Sequence, residues 1–411
     1  MPTLRPLYLI PIFTLLLALT GCDDKRLGKT PDTPDTLHTI QVEPGTISRL
    51  TLPKQLLGAK SYRWQITGKS GKHYRLESST AATPQFIAIP GVYDFEVTAD
   101  GATERVRVTV APYPEGQGRP HPSKVYDFTP APGQFVGIYP RYDESEPIRE
   151  LYDRLLETLS EDRGLISLGG WGGSITFGFD HTVINVSGLM DLQIGGNAFW
   201  NNSPYLPEGV LRDTSGSAEP GIVQVAYDAN QNGLPDDPWY EIKGSGHTSR
   251  ISEYWSPFAQ KAGNLTSYTP DYSITYHRPT SAEPGIVRWE DNQGESGALT
   301  THYPTWIEGD KITAKGTRLP QNGVALDMIH LFAFDYGYTD NRPNSDPAGN
   351  IDLDWAVDRH GNPAHLLGID FVRVYTGVQQ QNGRLGENST ELSLTTDLHT
   401  AQKAIPTLTS K

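Results

Sequence analysis

The run Asp228-Ala229-Asn230-Gln231-Asn232-Gly233-Leu234-Pro235-Asp236-Asp237 holds the densest potential chemistry in the chain. Oxygen-bearing side chains stand at its first, third and fifth positions and glycine at its sixth, which is the spacing of a calcium loop. Alternate side chains turn inward, Gly233 permits the sharp reversal, Leu234 offers its carbonyl, and Asp236 reaches the ion directly or through water. Asp228, Asn230, Asn232, Leu234, Asp236 and Asp237 are therefore the expected ligands. All are hard oxygen donors with no histidine or cysteine beside them, which favours calcium over zinc, in a structural role. The twelfth position, where a bidentate glutamate would close the shell, is Trp239, so Asp237 or Glu241 must complete it. An asparagine- and aspartate-rich turn without metal would have the same composition.

Aromatic rings offer a second kind of chemistry. Many lie in Gly- and Pro-rich segments beyond residue 170, where rings on long loops form flat surfaces for sugars or other planar ligands. Trp200, Tyr205, Trp255 and Tyr268 are the expected exposed ligand contacts. Catalytic signatures are missing: there is no Gly-x-Ser-x-Gly elbow, no Walker loop and no His-Glu-x-x-His. Asp180-His181 has no evident nucleophile. Glu219 and Glu283, in two copies of Ser-Ala-Glu-Pro-Gly-Ile-Val, would form a glycosidase pair only if the fold joined them. A second acidic stretch, from Asp335 to Asp358, could hold another cation, although its spacing fits no metal-binding template and favours a solvated loop. The expectation is a binding protein and not an enzyme.

These loops need a scaffold, and period-two alternation supplies one. Tyr62-Arg63-Trp64-Gln65-Ile66, Tyr93-Asp94-Phe95-Glu96-Val97 and Val106-Arg107-Val108-Thr109-Val110 read as half-buried strands of a small sandwich over 39–112. A Pro- and Gly-rich linker over 112–122 leads to a larger, jelly-roll-like β-sandwich over 123–395, the expected ligand-binding domain. Its one notable helix spans 146–162, with Ile148, Leu151, Leu155 and Leu159 on one face, Ser145 as cap and Pro147 in the first turn.

The N-terminus sets the compartment. Arg5 precedes an apolar run that ends at Leu19-Thr20-Gly21-Cys22, so 1–21 reads as a signal peptide and Cys22 as the lipid-bearing first residue of the mature chain. Residues 22–38 contain almost nothing apolar and form the tether. Cys22 is the sole cysteine, so disulfides cannot contribute. The 34 Lys and Arg against 48 Asp and Glu give a net charge of −14, which argues against nucleic acid and leaves the lipid as the one membrane contact.

Tyr62-x-Trp64 followed by Pro90-Gly91-x-Tyr93-x-Phe95-x-Val97 resembles PKD and other immunoglobulin-like modules, which commonly serve as stalks. Over nearly the whole mature chain, Gly169-Gly170-Trp171-Gly172-Gly173, Phe179-Asp180-His181, the Glu219-Pro220-Gly221 corner and the Asp228 loop running into Trp239-Tyr240-Glu241 resemble PKD-like cell-surface lipoproteins of Bacteroidetes. Within that group the layout is similar to the vitamin B12 (corrinoid)-binding BtuH type. The resemblance implies an outer-membrane, surface-exposed lipoprotein that binds cobalamin and passes it to an outer-membrane transporter. The aromatic loops suit a glycan ligand as well, and a glycan-cleaving enzyme is the third expectation.

Overall fold

The computed structural model describes residues 37–67, 71–248 and 255–402. The signal peptide, Cys22 and nearly all of the tether lie outside the described residues. Alternation folds the N-terminal segment as expected. In Gly91–Ala99 the side chains of Tyr93, Phe95 and Val97 are buried while Val92 and Glu96 face solvent. This strand centres a four-stranded sheet ordered His38–Val42, Ala102–Val110, Gly91–Ala99, Tyr62–Ile66, whose first pair is parallel. A three-stranded sheet of Ser48–Arg49, Gln85–Ala88 and Tyr74–Glu77 completes the module. Both sheets contribute to one core containing Trp64, Phe86, Tyr93, Phe95 and Val106.

The larger part is built on a seven-stranded antiparallel sheet. Its order is Ala356–Val357, Tyr240–Ile242, Gly221–Ala226, Gly368–Thr376, Ser174–Ile184, Lys124–Thr129, with Tyr338–Thr339 also paired to Gly221–Ala226. One face carries Ile175, Phe177, Val223, Val225, Val372 and Val374 in a core shared with Leu151, Leu155 and Leu159 of helix α1 (Ile148–Glu161). Ile222 and Tyr375, at intervening positions, belong instead to a second core with Trp171, Tyr272, Ile274 and Tyr276. That core includes a four-stranded sheet ordered Ser296–Thr300, Ile286–Asp291, Thr269–His277, Lys311–Arg318. The fold is thus mainly β, with the central sheet between a helix and a second sheet.

Three local expectations change. Ser145 does not cap α1: its hydroxyl donates to Asp143 (2.7 Å), and the helix begins after Pro147 with no side-chain cap. A second helix, α2 (Ser256–Ala262), has Pro257 in its first turn and Gly263 in the left-handed region at its end. The N-terminal module is seated on the larger part rather than set apart as a stalk. Ile87 and Ile89 pack with Ile184 and Val186. The Arg75 guanidinium meets Asp354 at 2.9 Å and Asn185 at 3.1 Å, and His73 contacts His399 at 3.0 Å.

Candidate functional site

Side-chain alternation at one edge of the seven-stranded sheet creates the site. Ile242 enters the α1 core, so its neighbour Glu241 turns to the opposite face beside its register partner Gln224. Trp239, just before this strand, lies under the Arg373 guanidinium, 4.4 Å from the ring centroid. A cation over an indole face holds the ring in place. Trp239, Gln224, Glu241, Lys243, Tyr268 and Thr317 line a cleft of about 390 Å³, with Asp271, Arg359 and His360 also on its walls.

Glu241 forms the floor, and every lone-pair direction of its carboxylate is engaged. Oε1 accepts from the Thr317 hydroxyl (2.7 Å) and pairs with His247 Nε2 (2.8 Å). Oε2 accepts from the Tyr375 hydroxyl (2.9 Å) and the Gln224 amide (3.2 Å). Burial opposes its ionisation, but the hydrogen bond and charge of His247, with the Thr317 and Tyr375 hydroxyls, outweigh it and hold Glu241 below the ordinary glutamate pKa. His247 is fixed in turn by the Tyr338 hydroxyl at 2.7 Å. The floor is therefore a preorganised anion, and Glu241 is not free to complete a calcium shell.

The four aromatic residues expected to contact ligand do not converge. Tyr268 reaches the cleft, with 36% of its surface exposed and its ring 6.0 Å from that of His247. Trp255 is a correction: it is fully buried, stacked on Phe332 at 5.7 Å, because it leads α2 into the second core. Trp200 is half-buried beneath Arg342, and Tyr205 is 85% exposed; neither lines the cleft. Trp239 takes the place intended for them. Its adjacency to the Asp228 loop was visible in the sequence, although nothing there separated it from the other tryptophans.

The Asp228 loop closes through its own hydrogen bonds. Asp228 Oδ1 and Asn230 Oδ1 converge on the Asn232 amide (3.1 and 3.0 Å), and Asn232 Oδ1 accepts from Leu234 N at 2.8 Å. Asp236 receives the side-chain amides of Asn230 and Asn232, both at 3.0 Å, and Asp237 accepts from Ala229 N at 3.1 Å. Calcium binding at this loop is our proposal, supported by the convergence of the first and third positions. With Glu241 engaged, Asp237 is the residue left to complete the shell. Added calcium should raise the melting temperature and EGTA should reverse the gain; equal melting curves in both would remove the ion from the account.

The acidic stretch from Asp335 is not simply a solvated loop. Buried Asp340 and Glu391 meet half-buried Glu219, and one oxygen of each carboxylate lies within 4.8 Å of the others. Glu283, by contrast, is bound to Arg288 (2.6 Å) and is not a member of this group. Burial pushes Glu219 up to about 7 and raises Asp340 and Glu391 well above ordinary carboxyls. His181 is clamped between Asp180 (2.8 Å) and Asp397 (2.9 Å). Burial disfavours its charge, but the two carboxylates prevail and push it up to about 9.

These shifts act in one direction. The folded chain holds protons that the unfolded chain releases, so stability falls as pH rises, from about 4.5 to 7 for Glu219 and from 6.5 to about 9 for His181. In calcium-free buffer the urea midpoint should be higher near pH 5.5 than near pH 8, an interval inside the combined range of the two windows. A midpoint that rises over this interval would contradict the assignment.

A larger cleft of about 520 Å³ has Trp289, Gln321, Gln379, Gln380, Gln381 and Asn388 among its walls. Sequence reasoning overlooked it, although three successive glutamines mark it. Two of its amides already serve the fold: Gln380 bonds both Gly323 N and Gly323 O (2.8 Å each), and Gln321 bridges Leu265 N and Gln379 O.

No protein-family model and no curated protein matches the chain. Among solved structures it is similar to SGBP-B of the Bacteroides ovatus mixed-linkage glucan utilization locus, solved in complex with a mixed-linkage heptasaccharide. Identity is 14%, 70% of this chain and 68% of that one are covered, and the TM-score is 0.14. At that TM-score the likeness carries no argument about the cleft.

Proposed function

We propose that the protein is a carbohydrate-binding protein of the bacterial surface, which seats a neutral glycan in the Trp239 and Tyr268 cleft. The observation that carries this reading is that both rings share one cavity with Gln224, Lys243, Asp271 and Thr317, over a floor fixed by hydrogen bonds. Sugar rings pair an apolar face with a rim of hydroxyls, and such a wall matches both. Binding is favoured over cleavage because an acid catalyst needs a carboxyl that stays protonated, whereas Glu241 is held ionised and fully engaged. The lipobox at Cys22 supports a lipid-anchored, outer-membrane location, with an outer-membrane transporter as recipient of the ligand. A corrinoid is the second reading, because the same rings with amide- and hydroxyl-bearing walls would meet a corrin face and its amide arms.

The test is calorimetric titration of the unlipidated mature chain with a mixed-linkage heptasaccharide, other neutral oligosaccharides and cyanocobalamin, followed by an assay for new reducing ends. Glycan binding without cleavage supports the proposal. Binding of cyanocobalamin alone would transfer the cleft to the corrinoid reading, and new reducing ends would make the protein an enzyme.

A further inference from the structure

The cleft of about 520 Å³ shares no lining residue with the Trp239 cleft, and it has a tryptophan of its own. Trp289 stands on strand Ile286–Asp291, directly opposite Gly297 of the edge strand Ser296–Thr300. A Cβ at Gly297 would come within 3.0 Å of Nε1, Cε2 and Cζ2 of the indole, so the ring fills the space that a side chain there would need. Glycine on an edge strand thus gives an aromatic ring its seat. Trp289 is half-buried, packed against the second core, and its remaining surface is part of the cleft wall.

Three polar groups of this wall are open to solvent and have no hydrogen-bond partner among the described residues: the Trp289 indole N–H and the side-chain amides of Gln379 and Gln381. The segment that carries the two amides is held in place, because Gln380 between them is tied to Gly323 and the Gln379 carbonyl accepts from Gln321. The charge of Arg318 is taken up within the fold. Its guanidinium lies over the Tyr272 ring at 4.1 Å, donates to the Thr269 hydroxyl at 3.2 Å and stands 3.9 Å from Asp291, leaving the residue 7% exposed. The other charged groups of the wall, Glu295 and Glu387, are carboxylates and turn away phosphate, carboxylate and acidic sugars. The occupant must therefore bring an acceptor to the indole N–H, an apolar face to the ring, and groups that both donate and accept to the amides. Adjacent hydroxyls on a neutral sugar ring meet all three demands.

We infer that this cleft is a second carbohydrate site, in which Trp289 stacks on a ring of a neutral oligosaccharide while Gln379 and Gln381 bind its hydroxyls. The ligand class rests on the glycan reading of the Trp239 cleft, but the residues differ, so the two fail separately. Occupation of both clefts by one polysaccharide would raise its apparent affinity without any new contact.

The indole N–H resonances of the eight tryptophans report on both clefts in one NMR spectrum. Loss of a peak in Trp289→Phe or in Trp239→Phe assigns it. The unlipidated mature chain would be titrated with cellohexaose, maltohexaose and xylohexaose, and separately with cyanocobalamin. At least one of the saccharides should move the Trp289 peak. Replacing Gln379 and Gln381 together by alanine should leave the melting temperature unchanged, because neither amide holds the fold, and should weaken the affinity read from that peak roughly tenfold. The affinity read from the Trp239 peak should not change in this variant. A Trp289 peak that stays still with every saccharide, or that moves with cyanocobalamin alone, overturns the second site. So does an unaltered affinity in the double variant. A still Trp239 peak beside a moving Trp289 peak would support the second site and count against the first.

Discussion

Glu241→Ala is expected to destabilise the protein by about 3–5 kcal/mol, the usual consequence of removing one partner from a buried charged network. The substitution would leave the Thr317 and Tyr375 hydroxyls, the Gln224 amide and the His247 ring without their common acceptor. His247, which lines the same cleft, and Tyr338, stacked on its ring, would lose their anchor as well. Glu241→Gln keeps the volume but places an amide among donors, so it should retain less than half of the lost stability. Urea denaturation measures both, with the midpoint shift read at an unchanged slope. A loss below about 1 kcal/mol in Glu241→Ala would mean that the donors find other partners, and that the floor of the cleft is not held as described.

Trp239→Ala is expected to act in the opposite way, with a large effect on binding and a small one on folding. A stacked aromatic ring contributes roughly 2–3 kcal/mol when fully covered, so glycan affinity should fall about 30- to 150-fold. The indole is half-buried beneath Arg373 and stands outside both large cores, which limits the accompanying loss of stability. Tyr205→Ala, at an 85% exposed position away from the cleft, should leave affinity unchanged and serves as the control. Titration of each variant with the same oligosaccharide separates them. Equal affinities for Trp239→Ala and Tyr205→Ala would remove the ring from the binding surface.

The contrast between Trp239 and Trp255 shows where sequence reasoning stops. Both tryptophans immediately precede short elements, yet one lines a cleft and the other is stacked in a core. Composition and local pattern carry no record of which ring the rest of the chain covers. Strands with a strict two-residue period were legible, as in Gly91–Ala99 and Ala102–Val110, because one buried face imposes the alternation. Helix α1 was legible for the same reason at helical period, whereas α2, seven residues long, is too short to display a stripe. The Asp228 loop was legible because its spacing is local. Glu219, Asp340 and Glu391 meet only through tertiary contacts between distant segments, and no motif could have joined them. The cleft lies between these extremes: Tyr268 was singled out and Trp239 was visible, but Thr317 reaches it, and Arg373 covers Trp239, from strands far along the chain.

The central claim is that a glycan rests on Trp239, and a crystal structure of the mature chain soaked with the tightest-binding oligosaccharide of the panel tests it most directly. The account predicts a sugar ring stacked on the indole face away from Arg373, with hydroxyls reaching Gln224 or Lys243 and Tyr268 alongside. Well-defined sugar density elsewhere on the molecule, with the Trp239 cleft filled by solvent alone, would contradict it.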